Sequence, residues 1–435
     1  MKLISDPRRR RWVIVATIFV AIICNYLDRQ LLSVLKPEIL AQFGIDDSGY
    51  AWIVNVFLIC YAVMYPISGV LVDRFGSKRV MMAGIVAWSA ACIGGGLSQN
   101  IVQFTICRGI LGLAEPTIFA GQIVAVTLWF ERRQRATANS LCTAGGSLGT
   151  VIAPLLIAWL CRILPSWQEV FMVAGIIGLV IAVVWWLVYT NPPREVLEVT
   201  MAGEDDKSSA GGKAFGWGGL FRTRSLWGVL LIRLISDPVW YFCCFWLPAY
   251  LRDIYSAQDA TLSMQDTLDK IQWIGGIPFL IGAIGGVLSS VWSDSMVRRG
   301  SDSLAARKRM MIWTVAVAPL CMLVPYLGEW IGSVDVQVAV TVGIFSLIAV
   351  MCLSWLYTIC VVIAESFPVG NVASVVGITA GAGAVGGAVF NIFVGDMLAS
   401  MGNVLFIIMG LLHIVAALLL WRMVRRESPE KYARS

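Results

Sequence analysis

Residues 50–79 read YAWIVNVFLICYAVMYPISGVLVDRFGSKR, an apolar run that ends abruptly in a charged turn. The part from 50 to 72 has roughly the 20 residues that a helix needs to cross a bilayer core. Eleven similar runs lie on either side of it, so the sequence predicts an all-α membrane protein with 12 transmembrane helices. The predicted spans are 12–32, 50–72, 80–98, 101–125, 137–160, 168–189, 225–252, 270–293, 309–327, 337–363, 372–398 and 403–424.

The composition also indicates a membrane protein. Apolar residues make up 58% of the 435 positions and charged residues only 14%, and the mean hydropathy is +0.78. A water-soluble chain of this composition would lack the polar groups that its surface requires.

The basic residues indicate the topology. Most of the 33 lie on one face: in both tails, in the turns after the second, fourth and eighth spans, and in the segment 190–224. By the positive-inside rule this face is cytoplasmic, so we expect a multi-pass membrane protein with both termini inside. The net charge of +6 then reflects topology and contact with membrane lipids rather than nucleic-acid binding.

No catalytic or metal-binding pattern is visible in the sequence. The 11 cysteines are scattered through apolar runs without metal-ligand spacing, and the single histidine, His413, lies in the last span. Buried packing is the expected role of these side chains. A phosphate-binding glycine-rich loop ending in Lys-Ser or Lys-Thr is also absent. The chain is therefore predicted not to be an enzyme, to need no cofactor and to draw its energy from an ion gradient.

A polar segment divides the spans into six and six. It contains Pro192, Pro193 and a Ser/Gly-rich stretch, which are typical of a linker. The turn Gly69–Arg79 after the second span has a faint counterpart, Gly286–Gly300, after the eighth. Parallel halves are common in secondary transporters. The predicted domains are an N-terminal six-helix bundle (1–189), a cytoplasmic linker (190–224) and a C-terminal six-helix bundle (225–435).

The chain resembles the major facilitator superfamily, whose Gly-x-Leu-x-Asp-Arg-x-Gly-x-Lys/Arg turn is matched by Gly69 to Arg79. Within that superfamily it is similar to the anion:cation symporters, which include hexuronate and galactonate transporters. The supporting stretches are NYLDR at 25–29, Arg108 with Glu115, DPVWYF at 237–242 with FWLP at 245–248, and AESFP at 364–368. The resemblance implies a fold of two six-helix bundles with the substrate cavity between them.

Four charged residues lie inside hydrophobic segments of the first half of the chain, where a charge is costly and is usually kept for function. Asp28 and Arg29 are in the first span, and Arg108 and Glu115 in the fourth. Because these two spans run in opposite directions, Asp28 and Arg108 should lie at a similar depth and are the expected partners. Glu115, about two helical turns from Arg108, is expected to be more isolated.

The resemblance to the symporters implies a role for each of these charges. Arg29 would bind the substrate carboxylate, which a guanidinium matches with two parallel hydrogen bonds. Asp28 and Glu115 would carry protons, and Arg108 would modulate Asp28. The alternative is a static charge network that only fixes helix packing, although a buried structural ion pair usually stabilises little.

Aromatic and amide side chains are further candidates for substrate contact. Each is also explained by helix packing, or for the amide by an interhelical hydrogen bond. Arg233 and Asp237, one turn apart in the seventh span, are expected to pair with each other. The candidates are Tyr26, Tyr61, Trp240, Tyr241, Trp355, Tyr357 and Asn391.

A latch on the cytoplasmic side is expected from the charges that follow the second and fourth spans. Asp73 and Arg74 belong to the first of these turns, and Arg132 and Arg133 to the second. Charge pairs between them would hold one conformation until the helices move.

The sequence therefore predicts a monomeric, proton-coupled symporter that imports a small organic anion, a sugar acid such as glucuronate or galacturonate. Three alternatives remain open: another monocarboxylate such as an aromatic acid or an aldonate, coupling to Na+, and an anion receptor that does not transport.

Overall fold

The computed structural model describes residues 6–45, 47–201, 215–247, 250–251, 254–255, 274 and 276–427. These ranges contain helices and no β-strand, so the all-α prediction is confirmed. The helices are α1 (Pro7–Val34), α2 (Lys36–Phe43), α3 (Asp47–Phe75), α4 (Ser77–Leu97), α5 (Ile101–Ala114), α6 (Thr117–Trp129), α7 (Arg132–Ile163), α8 (Trp167–Val188), α9 (Arg194–Met201), α10 (Trp217–Phe221), α11 (Arg224–Phe245), α12 (Ile277–Arg298), α13 (Ser303–Thr314), α14 (Leu327–Trp330), α15 (Val334–Ser366) and α16 (Val369–Met423). A 3-10 segment, Val315–Tyr326, joins α13 to α14.

The number of membrane-spanning helices agrees with the sequence. Within the described residues, 11 helical segments are long and apolar enough to cross a bilayer, and α7, bent by 45°, gives up to 12. One helix, α16, supplies two of these segments, because Met401 leaves helical geometry with φ −143° and ψ 44°. The predicted seventh and eighth spans include residues 248–249, 252, 270–273 and 275, which lie outside the described part of the chain.

The fourth span is broken where the sequence places a proline. Helix α5 ends at Ala114 and α6 begins at Thr117, so Glu115 and Pro116 form the break within one span. Proline lacks an N–H for the helical ladder and its ring clashes with the preceding turn. Glu115 therefore lies at a break in the helix.

The chain groups into two compact units. Unit 1 contains the described residues through Trp217 together with Phe367–Gly381, and unit 2 contains Gly218–Ser366 and Ala382–Glu427. Phe367–Gly381 belongs to unit 1 partly because Asn371 pairs with Phe215: the Phe215 amide donates to Asn371 Oδ1 at 2.7 Å, and Asn371 Nδ2 donates to the Phe215 carbonyl at 3.1 Å. The unit boundary near 217 falls inside the segment 190–224.

In unit 1, small residues bring α7 against α1. A Cβ atom on Gly145 would lie 2.6 Å from the carbonyl oxygen of Phe19, and one on Gly149 would lie 2.9 Å from Cβ of Tyr26. Such distances exclude any larger side chain unless the backbone moves. This close approach fixes the position of Tyr26 on α1.

The two copies of the repeated turn share a backbone requirement. Gly76, after Asp73, has φ 82°, and Gly300, after Asp294, has φ 93°. Both lie in the left-handed region that favours glycine because it has no Cβ. The repeat therefore preserves the turn that ends the preceding helix, α3 in one copy and α12 in the other.

Unit 2 contains a fully buried charge cluster between α12, α13 and α15. The Arg307 guanidinium lies 2.7 Å from Asp294 Oδ1 and 3.5 Å from Glu365 Oε1, and all three side chains are 0% exposed. Arg307 also donates a hydrogen bond of 2.6 Å to Ser293 Oγ. One guanidinium therefore compensates two buried carboxylates.

We expect Arg307→Met to destabilise the protein by about 3–5 kcal/mol, because Asp294 and Glu365 would be left buried without a cation. The measurement is the free energy of unfolding in detergent micelles. The matched control is Arg299→Met, which removes an exposed arginine from the neighbouring turn. Equal unfolding free energies of the two variants would show that Arg307 does not stabilise the buried carboxylates of Asp294 and Glu365.

Candidate functional site

Arg29 lies at the centre of a polar site in unit 1. Its Nε donates a hydrogen bond of 2.6 Å to Glu115 Oε2, and the side-chain exposures are 25% for Arg29 and 0% for Glu115. Its guanidinium carbon is 4.6 Å from the ring centroid of Tyr61, 5.0 Å from that of Tyr26 and 5.7 Å from that of Phe57. The cation is thus held by one carboxylate and three aromatic faces.

Local helix geometry explains why these groups meet. Tyr26 and Arg29 are three residues apart on α1, and Phe57 and Tyr61 are four apart on α3, so each pair shares one helical face. The fifth group, Glu115, comes from the break between α5 and α6. The site therefore combines three segments of unit 1.

The expectation that Glu115 is isolated is wrong, because Glu115 is the ion-pair partner of Arg29. Side chains on an α-helix lean toward its N-terminus, and arginine is long. Arg29 therefore extends back along α1 toward the level of Glu115. The expectation of an isolated Glu115 compares only the depths of the Cα atoms in the membrane, and it leaves out the length of the arginine side chain.

The expected proximity of Asp28 and Arg108 is confirmed, but the contact differs from the expected one. Arg108 Nη1 donates to the main-chain carbonyl of Asp28 at 3.2 Å rather than to its carboxylate. The Asp28 carboxylate, with the residue 1% exposed, accepts from the Cys92 thiol with Sγ and Oδ1 3.5 Å apart. Among the described residues, no cationic nitrogen lies within 4.0 Å of this carboxylate.

Two residues of this site were not identified from the sequence. The Cys92 thiol, which also lies 3.3 Å from the Phe171 carbonyl, was interpreted as a small buried hydrophobe. Phe57 lies beside both cations, with its ring centroid 5.7 Å from the guanidinium carbon of Arg29 and 5.2 Å from that of Arg108. Neither residue type has a sequence signal that separates it from ordinary helix packing.

The other aromatic candidates belong to unit 2, where most have packing roles. Trp355 Nε1 donates to the Met311 carbonyl at 2.9 Å. Tyr241 packs against Gly387 and Tyr357 against Gly286, because a Cβ on either glycine would overlap the ring. The side chain of Asn391 lies outside the described part of the structure.

A small cavity in unit 2 is lined by Trp240, Trp355, His413, Arg233 and Asp237. The predicted pairing of the last two is confirmed, with Arg233 Nη2 2.8 Å from Asp237 Oδ2. His413 is 1% exposed and its ring packs edge-on against Trp355, with centroids 5.4 Å apart. The predicted core role of His413 is confirmed.

The latch candidates form contacts other than the expected charge pairs. Asp73 accepts hydrogen bonds from the Ser374 amide at 2.8 Å, the Ser374 hydroxyl at 2.6 Å and the Ala373 amide at 3.2 Å. Arg133 pairs with Glu131 at 2.6 Å, and Arg74 lies over the ring of Phe75. Asp73 thus ties the end of α3 to the start of α16, and the gating role of Asp73, Arg74, Arg132 and Arg133 stays a prediction.

We expect Asp73→Asn to loosen the start of α16 and slow net uptake while substrate affinity changes little. An amide side chain keeps one acceptor oxygen but loses charge-assisted bonds worth about 1.5–3 kcal/mol each. Amide hydrogen exchange across 369–377 should become about tenfold faster. Glu195→Gln is the control, because Glu195 is an exposed carboxylate on α9 outside the latch candidates. Unchanged exchange in Asp73→Asn would remove Asp73 from the latch.

Comparison with known proteins agrees with this architecture. A Major Facilitator Superfamily model matches residues 18–300. The hexuronate transporter of Escherichia coli (strain K12) is 23% identical over 426 residues, covering 96% of this chain and 94% of that protein. The galacturonate transporter of Dickeya chrysanthemi is 26% identical over 285 residues, covering 64% of this chain and 80% of that protein.

Solved structures show the same fold. The proton:xylose symporter XylE matches with a TM-score of 0.74 at 15% identity, over 99% of this chain and 100% of that chain. The fucose:proton symporter FucP of E. coli matches with a TM-score of 0.66 at 14% identity, over 95% of this chain and 99% of that chain. Since the family model covers well over half of the sequence and the fold agrees along nearly all of it, this chain belongs to the Major Facilitator Superfamily of multi-pass membrane transporters.

Proposed function

We propose that this protein is a proton-coupled symporter that imports a small sugar acid, such as glucuronate or galacturonate, across a bacterial inner membrane. The observation that carries the proposal is that the hydrogen-bond donors of the Arg29 guanidinium are only partly used. Its Nε is bound to Glu115, whereas its Nη2 is buried and has no hydrogen-bond partner among the described residues. An arginine has five N–H donors, so Arg29 can bind a second anion beside Glu115.

The groups around Arg29 suit a sugar acid. A substrate carboxylate can accept from the unused edge of the guanidinium, and charge-assisted hydrogen bonds of this kind are among the strongest in proteins. Tyr26 and Tyr61, next to the cation, offer ring faces to the carbon skeleton and hydroxyl groups to its alcohols. The relatives named above, a hexuronate and a galacturonate transporter, support the same substrate class.

Glu115 can couple this binding to protons. While it is ionised it competes with the substrate for Arg29, and protonation removes that competition. A proton on Glu115 and a substrate on Arg29 therefore favour one another, and by linkage the effect is reciprocal. Such mutual stabilisation is what symport requires, and it needs no cofactor beyond the proton gradient.

Asp28 supplies a second candidate proton carrier. A carboxylate can exchange a proton when a cation moves toward it or away from it. Asp28 is buried and accepts from the Cys92 thiol, while Arg108 contacts its main-chain oxygen. Movement of Arg108 from the carbonyl to the carboxylate would favour release of the proton.

The test is uptake by purified protein in proteoliposomes, with labelled galacturonate and glucuronate. We expect accumulation when the outside is made acidic in Na+-free buffer, and its loss when a protonophore is added. Accumulation driven only by a Na+ gradient would overturn proton coupling. Binding without counterflow exchange would indicate a receptor, and uptake of benzoate in place of both sugar acids would indicate an aromatic-acid transporter.

A further inference from the structure

Unit 2 has a charged groove where one candidate span begins and another ends. The groove has a volume of about 530 Å³ and lies between α13, along its length from the N-cap Asp302 to Trp313, and the residues at the end of α16. The corresponding spans start at Ser303 and end at Met423. The groove therefore lies at the boundary between the apolar core of a membrane and its head groups.

The lining of this groove is strongly basic. Lys308, Arg309, Arg425 and Arg426 face a single acidic residue, Asp302. Asp302 forms an ion pair with Arg426 and also accepts from the Ala305 amide at 3.0 Å, capping α13. Asp302 therefore neutralises Arg426.

Two of the remaining cations are available to an anion. Arg309 is exposed and has no ion-pair partner among the described residues. Arg425 is 51% exposed and lies 3.7 Å from Glu427, whose Oε1 is already bound by the Ser225 hydroxyl at 2.7 Å. Lys308 is held differently, because its ammonium donates to the carbonyls of Trp421 and Val424 at 3.2 and 2.9 Å.

Apolar surface borders the same charges. Trp313 and Trp421 line the groove and are 65% and 69% exposed. Trp421 is two residues from the end of its span at Met423, where a tryptophan typically lies at the level of the lipid head groups. The Lys308 ammonium is 5.5 Å from the ring centroid of Trp421. The groove thus presents cations and exposed indole rings side by side, which suits an amphiphile better than a soluble anion.

We propose that this groove binds an anionic glycerophospholipid. Its phosphate would lie on the guanidinium groups of Arg309 and Arg425, which match phosphate oxygens with paired hydrogen bonds. Its acyl chains would run beside Trp313 and Trp421. Basic pockets between transmembrane helices are typical sites for anionic head groups, and the volume falls within the roughly 300–1,000 Å³ of ligand pockets. Bound lipid would bridge α13 and the end of α16.

Native mass spectrometry of the purified full-length protein tests this proposal, with phosphatidylglycerol and zwitterionic phosphatidylethanolamine as probes. We expect retention of phosphatidylglycerol over phosphatidylethanolamine. The double variant Arg309→Gln/Arg425→Gln should bind phosphatidylglycerol about 30-fold more weakly. Each cation near an anionic membrane surface raises the lipid-binding constant about fivefold, and the variant removes two. The control Arg222→Gln/Arg299→Gln removes the same charge from exposed arginines of unit 2 outside the groove.

Three results would overturn the proposal. One is equal loss of phosphatidylglycerol in both double variants, which would indicate a response to net charge alone. Another is equal retention of the two lipids by the unaltered protein. The third is a melting-temperature rise with inorganic phosphate that matches the rise with phosphatidylglycerol, since the site would then bind a free anion. Melting of both variants without lipid shows whether each is folded.

Discussion

Arg29→Lys is expected to weaken sugar-acid binding by about 100-fold or more while the protein stays folded. Each charge-assisted hydrogen bond to a carboxylate contributes about 1.5–3 kcal/mol. A lysine ammonium is a point donor and cannot bind Glu115 and hold a substrate carboxylate in a planar fork at the same time. Because lysine keeps the positive charge, Glu115 is not left buried without a cation. Isothermal titration of galacturonate into purified protein measures the loss.

The matched control is Arg162→Lys, the same substitution at an exposed arginine at the end of α7. It should leave the affinity unchanged. Near-normal affinity in Arg29→Lys would remove Arg29 from the substrate site, and an equal loss in both variants would indicate a general effect on the protein.

Glu115→Gln and Asp28→Asn should each abolish accumulation driven by a pH gradient. Glutamine resembles protonated Glu115, because it keeps an acceptor for Arg29 but carries no charge. Glu115→Gln should therefore bind substrate at pH 8 about as tightly as the unaltered protein does at pH 6, and it should retain counterflow, which needs no net proton movement. The measurements are uptake, counterflow and substrate affinity at several pH values in the same proteoliposomes.

Glu38→Gln is the control for this pair, since Glu38 is an exposed carboxylate on α2. It should accumulate substrate normally. If Glu115→Gln and Asp28→Asn both still concentrate substrate in response to a pH gradient alone, neither residue carries the coupled proton.

Local features of the fold were accessible from the sequence because they depend on neighbours along the chain. An apolar run of about 20 residues specifies a membrane helix wherever it occurs, and Pro116 breaks its own span. Arg233 and Asp237 pair because residues four apart share a helical face. The predicted packing role of His413 also holds, since its ring lies against Trp355.

The contacts that define the candidate site depend instead on tertiary structure. Arg29 and Glu115 are 86 residues apart, and Cys92 and Asp28 are 64 apart. Asp73 and Ser374 are separated by 301 residues. Helical periodicity gives the direction of each side chain around its own axis, but it does not say which helix lies opposite or which rotamer a long arginine adopts.

The sequence by itself determined that this chain is a helical membrane protein and that four charges of unit 1 lie inside its spans. Both follow from local composition, because a segment in lipid must be apolar and a charge within it stands out. Only the tertiary structure decided that Arg29 pairs with Glu115 between three aromatic rings. The tertiary structure alone also showed that Asp28 accepts a hydrogen bond from the Cys92 thiol and that Asp73 accepts one from the Ser374 hydroxyl. The physical reason is that the free energy of a buried charge depends on every group within a few ångströms, and those groups come from distant parts of the chain.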